Sequence, residues 1–307
     1  MSTARRLVVT GATGKQGGAL ISALLSKPSQ PFEIYAVTRS KASGSAQKLE
    51  KQGVRIIEGN FSDAEAIFKQ VEHPWGLFSV TLPMGGAAKE EKEGKAMTAA
   101  AIKAGVQHIV FTATERGGQE KSEGNSTQIP HFVSKFNIEK DIISKSRDSK
   151  QGTTWTFLRP VAFFENLSNS FFGRGFVAMW RLNGLDRPLQ QISTKDIGKI
   201  AAEAFLNADS AEYKNQAISL AGDELTPNEA AKIFKEETGL DLPSSYWWVG
   251  WLLRKLVSDL GKMFDWFYTD GFKADVPAIR KRYPFMQDFR TWLREESDWS
   301  KNKAKRA

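Results

Sequence analysis

No cysteine occurs anywhere in the 307 residues, and that absence removes disulfides, thiolate metal sites and cysteine nucleophiles together. A cytoplasmic setting fits, with the nucleus as a second compartment such a chain suits, and no metal site is expected. Long apolar runs are missing as well. In the most hydrophobic stretch of the last third, Arg254, Lys255, Asp259, Lys262 and Asp265 interrupt every window of about 18 residues, so no membrane span is expected. Arg5-Arg6 runs straight into a short strand of apolar and β-branched residues, too short for the hydrophobic region of a secretory leader, and none is expected. With 41% hydrophobic and 25% charged residues, bulk composition does not indicate disorder.

The charge balance is one-sided, +8 at neutral pH, but it is spread along the chain. One local run, Lys301, Lys303, Lys305 and Arg306, closes the sequence and reads as a solvated end. No helix pairs a basic face with neighbouring aromatics, which argues against direct nucleic-acid binding.

The most informative segment is Gly11-Ala12-Thr13-Gly14-Lys15-Gln16-Gly17, set behind the apolar run Leu7-Val8-Val9-Thr10 and opening an apolar helical stretch from Ala19 to Leu25. Glycines three residues apart let the backbone turn tightly off a strand and approach a pyrophosphate with no Cβ in the way. The helix that follows offers free N–H groups to the anion. The next strand, Phe32 to Thr38, ends at Arg39, where an NAD site would carry a carboxylate for the ribose. A guanidinium cannot accept from a hydroxyl, but it pairs bidentately with a 2′-phosphate, and Lys41 adds charge. NADP(H) is therefore expected over NAD(H).

Strand and helix patterns then alternate. Strands are expected at Leu7–Thr10, Glu33–Thr38, Val54–Glu58, Gly76–Leu82, His108–Thr112 and Thr154–Arg159, with helices at Gly17–Ser26, Ser45–Gln52, Ala64–Val71, Lys89–Ala104 and Ser134–Lys145. Right-handed crossovers make this an α/β fold, a doubly wound parallel Rossmann sheet. Residues 116–130 are polar and glycine-containing, and are expected to form a mobile surface loop. Beyond Pro160 the alternation fades. A helix at Asp196–Leu206, a strand at Ala217–Leu220 and a helix opened by Thr226-Pro227 with Glu229 follow. The aromatic stretch from Tyr246-Trp-Trp-Val-Gly-Trp251 to Trp266-Phe267 is expected to be mainly core, with a pocket wall or partner face as the alternative.

The pair that a short-chain dehydrogenase uses, a tyrosine four residues before a lysine on one helix, is missing: none of the five tyrosines has a lysine at that spacing. In the expected place stands His131-Phe-Val-Ser-Lys135. His131 is either a replacement acid or a helix-start residue after Pro130, and Lys135 reads as a ribose or nicotinamide contact.

Taken together, Gly11 to Gly18, Val37-Thr-Arg39, Lys92-Glu-Gly-Lys95, His131-Phe-Val-Ser-Lys135, Leu158-Arg-Pro160 with Phe163-Phe-Glu-Asn-Leu167, and Gly271-Phe-Lys-Ala-Asp275 resemble the NmrA-like family of atypical short-chain dehydrogenase/reductases. The resemblance implies an NADP(H)-binding Rossmann domain over residues 1–160 and a smaller α/β C-terminal substrate or partner domain over 161–307, some segments of which return to the sheet. It carries cofactor contacts to Gly11 through Gln16, Arg39, Lys41, Thr81, Leu82, Pro83, Lys92, Lys135, Phe163, Phe164, Glu165 and Asn166. Close relatives place an Asp pair after the third strand. This chain has Asn60-Phe-Ser-Asp63 instead, leaving Asn60 and Phe61 as the candidates there. The resemblance also implies that members described as redox sensors or transcriptional regulators lack the tyrosine, so the expected function is a cofactor sensor working through a protein partner. The alternative is an NADPH-dependent oxidoreductase acting on a small-molecule carbonyl, quinone or imine, with His131 or water as proton source and Lys135 beside Thr112 or Thr114 polarising the acceptor.

Overall fold

The computed structural model describes residues 4–300, so the basic run from Lys301 to Arg306 lies outside the described residues. In chain order the strands are β1 (Arg5–Val9), β2 (Phe32–Thr38), β3 (Arg55–Glu58), β4 (Pro74–Val80), β5 (His108–Thr112), β6 (Thr154–Pro160), β7 (Ala162–Phe163), β8 (Leu189–Ile192), β9 (Gln216–Leu220) and β10 (Asp223–Leu225). The helices are α1 (Lys15–Leu25), α2 (Gly44–Lys51), α3 (Ala64–Phe68), α4 (Ala87–Lys103), α5 (Lys121–Gly124), α6 (Pro130–Arg147), α7 (Phe171–Leu182), α8 (Thr194–Leu206), α9 (Pro227–Thr238), α10 (Trp247–Leu256), α11 (Ser258–Thr269), α12 (Val276–Arg282) and α13 (Phe289–Glu295). They fall into two compact units interleaved along the chain. Residues 4–114, 131–159 and 197–218 form one, and residues 115–130, 160–196 and 219–300 the other.

The first unit is built on a seven-stranded sheet of order β3-β2-β1-β4-β5-β6-β9, parallel from β3 across to β6. This is the doubly wound Rossmann-type arrangement, with the strand order reversing beside β1. Alternation along the strands assigns the two faces. Val8, Leu77, Ile109, Phe111 and Phe157 form one core with Met97 and Ala101 of α4 and Ile138 and Ile142 of α6. Leu7 and Gly76 point the other way. A methyl group on Gly76 would lie 3.3 Å from Phe205 of α8, and one on Gly198 of the same helix 2.5 Å from Ala19 of α1. Buried charge is paired: the Arg159 guanidinium makes a two-point contact with Glu139, 2.9 and 3.0 Å, as a desolvated ion pair requires.

Two strand and loop expectations are corrected. The fourth strand stops at Val80 rather than Leu82, because its partner β5 ends at Thr112, opposite Val80. Residues 116–130 are not a loose polar loop. Arg116 is completely buried, its guanidinium donating to the carbonyls of Asn125 (2.7 Å) and Ser122 (2.6 Å), while the Asn125 side chain returns a bond to the Arg116 carbonyl. A cation thus does for this segment what an apolar side chain does elsewhere, collecting the carbonyls a turn leaves unpaired.

The second unit contains a three-stranded sheet, β10-β8-β7. Helix α9 opens on the expected capping box, with Thr226 as the cap and Glu229 reaching back. The aromatic stretch divides. Trp266 and Phe267 are buried against Phe272, but the residues from Tyr246 to Trp251 that were expected in the core are largely exposed.

Candidate functional site

In the first unit the glycine turn after β1 is set by backbone constraints. The Thr10 hydroxyl donates to the Phe78 carbonyl and accepts the Val80 amide, both at 3.1 Å, locking the ends of β1 and β4 together. Gly11 follows at φ +58°, and any side chain there would strike Val80. The Gly14 amide closes the turn on the Gly11 carbonyl at 2.9 Å. Gly17 brings α1 over this turn so closely that a Cβ would sit 2.4 Å from the Gly11 oxygen. No side chain caps α1, whose N-cap is Gly14, and no acid stands in its first turn. Its leading amides are therefore open to an anion. Thr13, Gly14 and Lys15 are exposed there while Ala12 is buried. The Gln16 side-chain oxygen is buried with no hydrogen-bond partner among the described residues. These features fit a pyrophosphate.

At the end of β2, Arg39 and Lys41 are exposed. The loop is held by its backbone: the Lys41 amide donates to Glu58 at 2.8 Å, Ser40 to the Thr38 hydroxyl, and Ser43 caps α2. Both cationic side chains are left without a hydrogen bond or ion pair among the described residues. Beyond β3, Asn60 caps a short 3-10 turn by accepting the Ser62 amide, and Phe61 packs on the sheet core.

Lys135 sits in the second turn of α6, and its ammonium is surrounded. It donates to Glu90 at 2.5 Å, to the Thr81 hydroxyl at 3.0 Å and to the Thr81 carbonyl at 3.3 Å. Glu90, fully buried on α4, also accepts from Thr81 (2.7 Å) and Ser134 (2.5 Å). An ammonium has three donors, and all three are used within the chain. His131 lies one turn earlier on α6, half-buried, its ring edge-on to Phe132 at 4.8 Å. Lys92 is exposed on α4, as are Leu82 and Pro83 beyond β4. The structure thus brings Thr81 and Lys135 together and leaves Lys92, Leu82 and Pro83 out of that cluster. The Thr112 hydroxyl at the end of β5 is buried with no hydrogen-bond partner among the described residues.

Glu90 escaped the reading of the sequence. A glutamate in the first turn of a helix is ordinarily a solvated partner of the helix dipole. The signal that it is buried was Gly94, one turn further on the same face, where a Cβ would meet Ile138 of α6 at 2.5 Å. That close crossing carries Glu90 inward.

In the second unit, Phe163 ends β7 and a 3-10 turn runs over Phe164–Asn166. The Phe164 ring is fully buried against Phe289 and Trp292, with centroids 5.5 and 5.6 Å away, so only its backbone is open to a ligand. The Glu165 carboxylate accepts the Thr194 amide (3.0 Å) and hydroxyl (2.5 Å), anchoring the start of α8. Among the described residues no three His, Asp or Glu side chains converge as a metal site, and no helix is long and apolar enough to cross a membrane.

The NmrA-like family model matches residues 3–275. The chain is 28% identical over 260 residues to an NmrA-like family domain-containing oxidoreductase of Aspergillus hancockii, covering 78% of this chain and 74% of the relative. Among solved structures, the NADP(H) complex of triphenylmethane reductase from Citrobacter sp. aligns with a TM-score of 0.69 at 19% identity, over 93% of this chain and 98% of that one. NmrA, a negative transcriptional regulator solved with NADP, aligns at 0.69 and 16% identity over 97% and 99%, and has also been solved with NAD.

Proposed function

Because this chain belongs to the NmrA-like family, we propose that it binds NADP(H) in preference to NAD(H) and works as a cofactor sensor that regulates a protein partner. The uncapped start of α1 and the turn from Gly11 to Gly17 receive the pyrophosphate, while Arg39 and Lys41 take the 2′-phosphate. When bound, the cofactor supplies a nicotinamide able to give or accept hydride. What this chain lacks is a matched proton donor. Lys135 is the observation that carries the reading: its three N–H groups are spent on Glu90 and Thr81, and its charge is neutralised where a reductase of this fold uses it to acidify a tyrosine. The fold shared with a negative transcriptional regulator supports the same view. A ligand switches a protein only by binding two states unequally, so limited proteolysis with and without NADPH is the test. Cofactor-dependent protection is expected, and identical digestion would overturn the sensor.

A second reading, an NADPH-dependent oxidoreductase of a carbonyl, quinone or imine, is favoured by the name of the Aspergillus hancockii relative and by the unpaired Thr112 hydroxyl. NADPH oxidation across a carbonyl and quinone panel, abolished by His131→Ala, would establish it in place of the sensor.

A further inference from the structure

The most unusual surface of the second unit lies on α10. This helix packs on α7 through glycine. A Cβ on Gly250 would lie 2.9 Å from the Ala178 carbonyl carbon, and one on Gly175 of α7 would lie 2.6 Å from Leu253. So intimate a crossing turns Gly250 and Leu253 inward and the tryptophans outward. Trp247 is 70% exposed, Trp248 51% and Trp251 51%, with Tyr246 at 75% ahead of them and Leu256 at 74% two turns on. A soluble face ordinarily buries such rings, because each carries 150–250 Å² of mostly apolar area, on the order of what a core residue hides.

Its chemistry narrows what can cover it. Between Asp241 and Asp259 there is no carboxylate in the sequence, whereas Arg254 and Lys255 fall there. Arg254 is tied to Asp265 and Asn183, but Lys255 is exposed with no partner among the described residues. The three outward indoles have no hydrogen-bond acceptor among the described residues either. The helix itself therefore offers apolar rings, indole donors and an unpaired cation; the one carboxylate paired to it, Asp265 of α11, is spent on Arg254. A second copy of the chain presents the same donors and the same lysine, so symmetric pairing would oppose like with like. The complementary layer is apolar beneath, rich in acceptor oxygens above and negatively charged. A bilayer interface with anionic headgroups has that composition, and tryptophan and tyrosine favour that depth.

We propose that α10 is a membrane-surface seat that lies in the plane of an anionic lipid interface without crossing it, with Trp247, Trp248 and Trp251 in the acyl boundary and Lys255 among the phosphates. Such a seat is physically distinct from a span, which the helix is too short and too charged to make.

The test is co-sedimentation of the full chain with phosphatidylcholine vesicles prepared with and without phosphatidylserine, read alongside tryptophan quenching by brominated lipid. Binding to the anionic vesicles with quenching is expected, weakened by salt and by at least about tenfold in a Trp247→Ala/Trp251→Ala double variant. Lys255→Glu should lose the preference for phosphatidylserine. Both variants replace exposed side chains, and unchanged NADPH affinity and melting temperature would show that they fold. No binding to anionic vesicles, binding indifferent to the double variant, or self-association abolished by that variant would each overturn the proposal.

Discussion

At the start of α1, Gly17 lets the helix approach the preceding turn until a methyl group would stand 2.4 Å from the Gly11 oxygen; where α10 crosses α7, Gly250 brings two helices so close that a methyl would stand 2.9 Å from a carbonyl carbon. The same device has opposite outcomes. In the first region, close approach leaves polar main-chain ends uncovered and creates a place for an anion. In the second it buries one side of a helix at Gly250 and leaves the other, with its aromatic rings, outside. A missing side chain thus determines what the neighbouring groups meet, and the neighbours decide whether that is charge or lipid.

Several experiments would break or sharpen this contrast. The largest effect should come from the buried charge of the first region. Glu90→Ala strands the Lys135 ammonium and is expected to cost about 4 kcal/mol in urea unfolding; a loss near zero would mean that the ammonium finds water. Gly17→Ala meets rigid backbone, so about 3 kcal/mol should disappear together with NADPH affinity measured by calorimetry. Retained affinity would show that the turn is not the anion site.

A comparable figure attaches to His108, whose ring is buried between the Thr154 and Thr156 hydroxyls. Burial pushes its pKa down to about 4 from 6.5. The fold holds the ring neutral while the unfolded chain takes up a proton below about pH 6.5, so stability is present above that pH. It is lost as pH falls towards 4, by about 3 kcal/mol. His108→Asn should flatten this part of the pH–stability curve, and an unchanged slope would assign it to other groups. The smallest effect is expected for Gly250→Ala, about 2 kcal/mol of stability with NADPH affinity unaltered. Loss of cofactor binding there would erase the distinction between the two regions.

Legibility in the sequence follows the same divide. The glycines of the turn after β1 lie within one heptad, and β1 and β2 are written as short apolar runs alternating with helical patterns, so the Rossmann-type sheet and the position of Arg39 at the end of β2 were readable. Strand β5 fell at His108–Thr112 as expected. Gly250 meets Ala178, and Gly175 meets Leu253, only in three dimensions, so the outward turn of Trp247 could not be seen, and tryptophans at helical spacing read as core. Arg116 looked like the start of a polar loop because nothing local announces that a guanidinium will be enclosed by carbonyls. Glu90 was hidden by the ordinary behaviour of acids at helix starts. Polar groups buried by tertiary contacts leave no periodic trace.

The most direct measurement is a pair of calorimetric titrations, NADPH and NADH, into the native chain and into Arg39→Ala. Tighter binding of NADPH to the native chain is predicted, with a loss of about thirtyfold in the variant and no change for NADH. Equal affinity for the two nucleotides, or an NADPH affinity that ignores the loss of Arg39, would contradict a 2′-phosphate clasp at the end of β2.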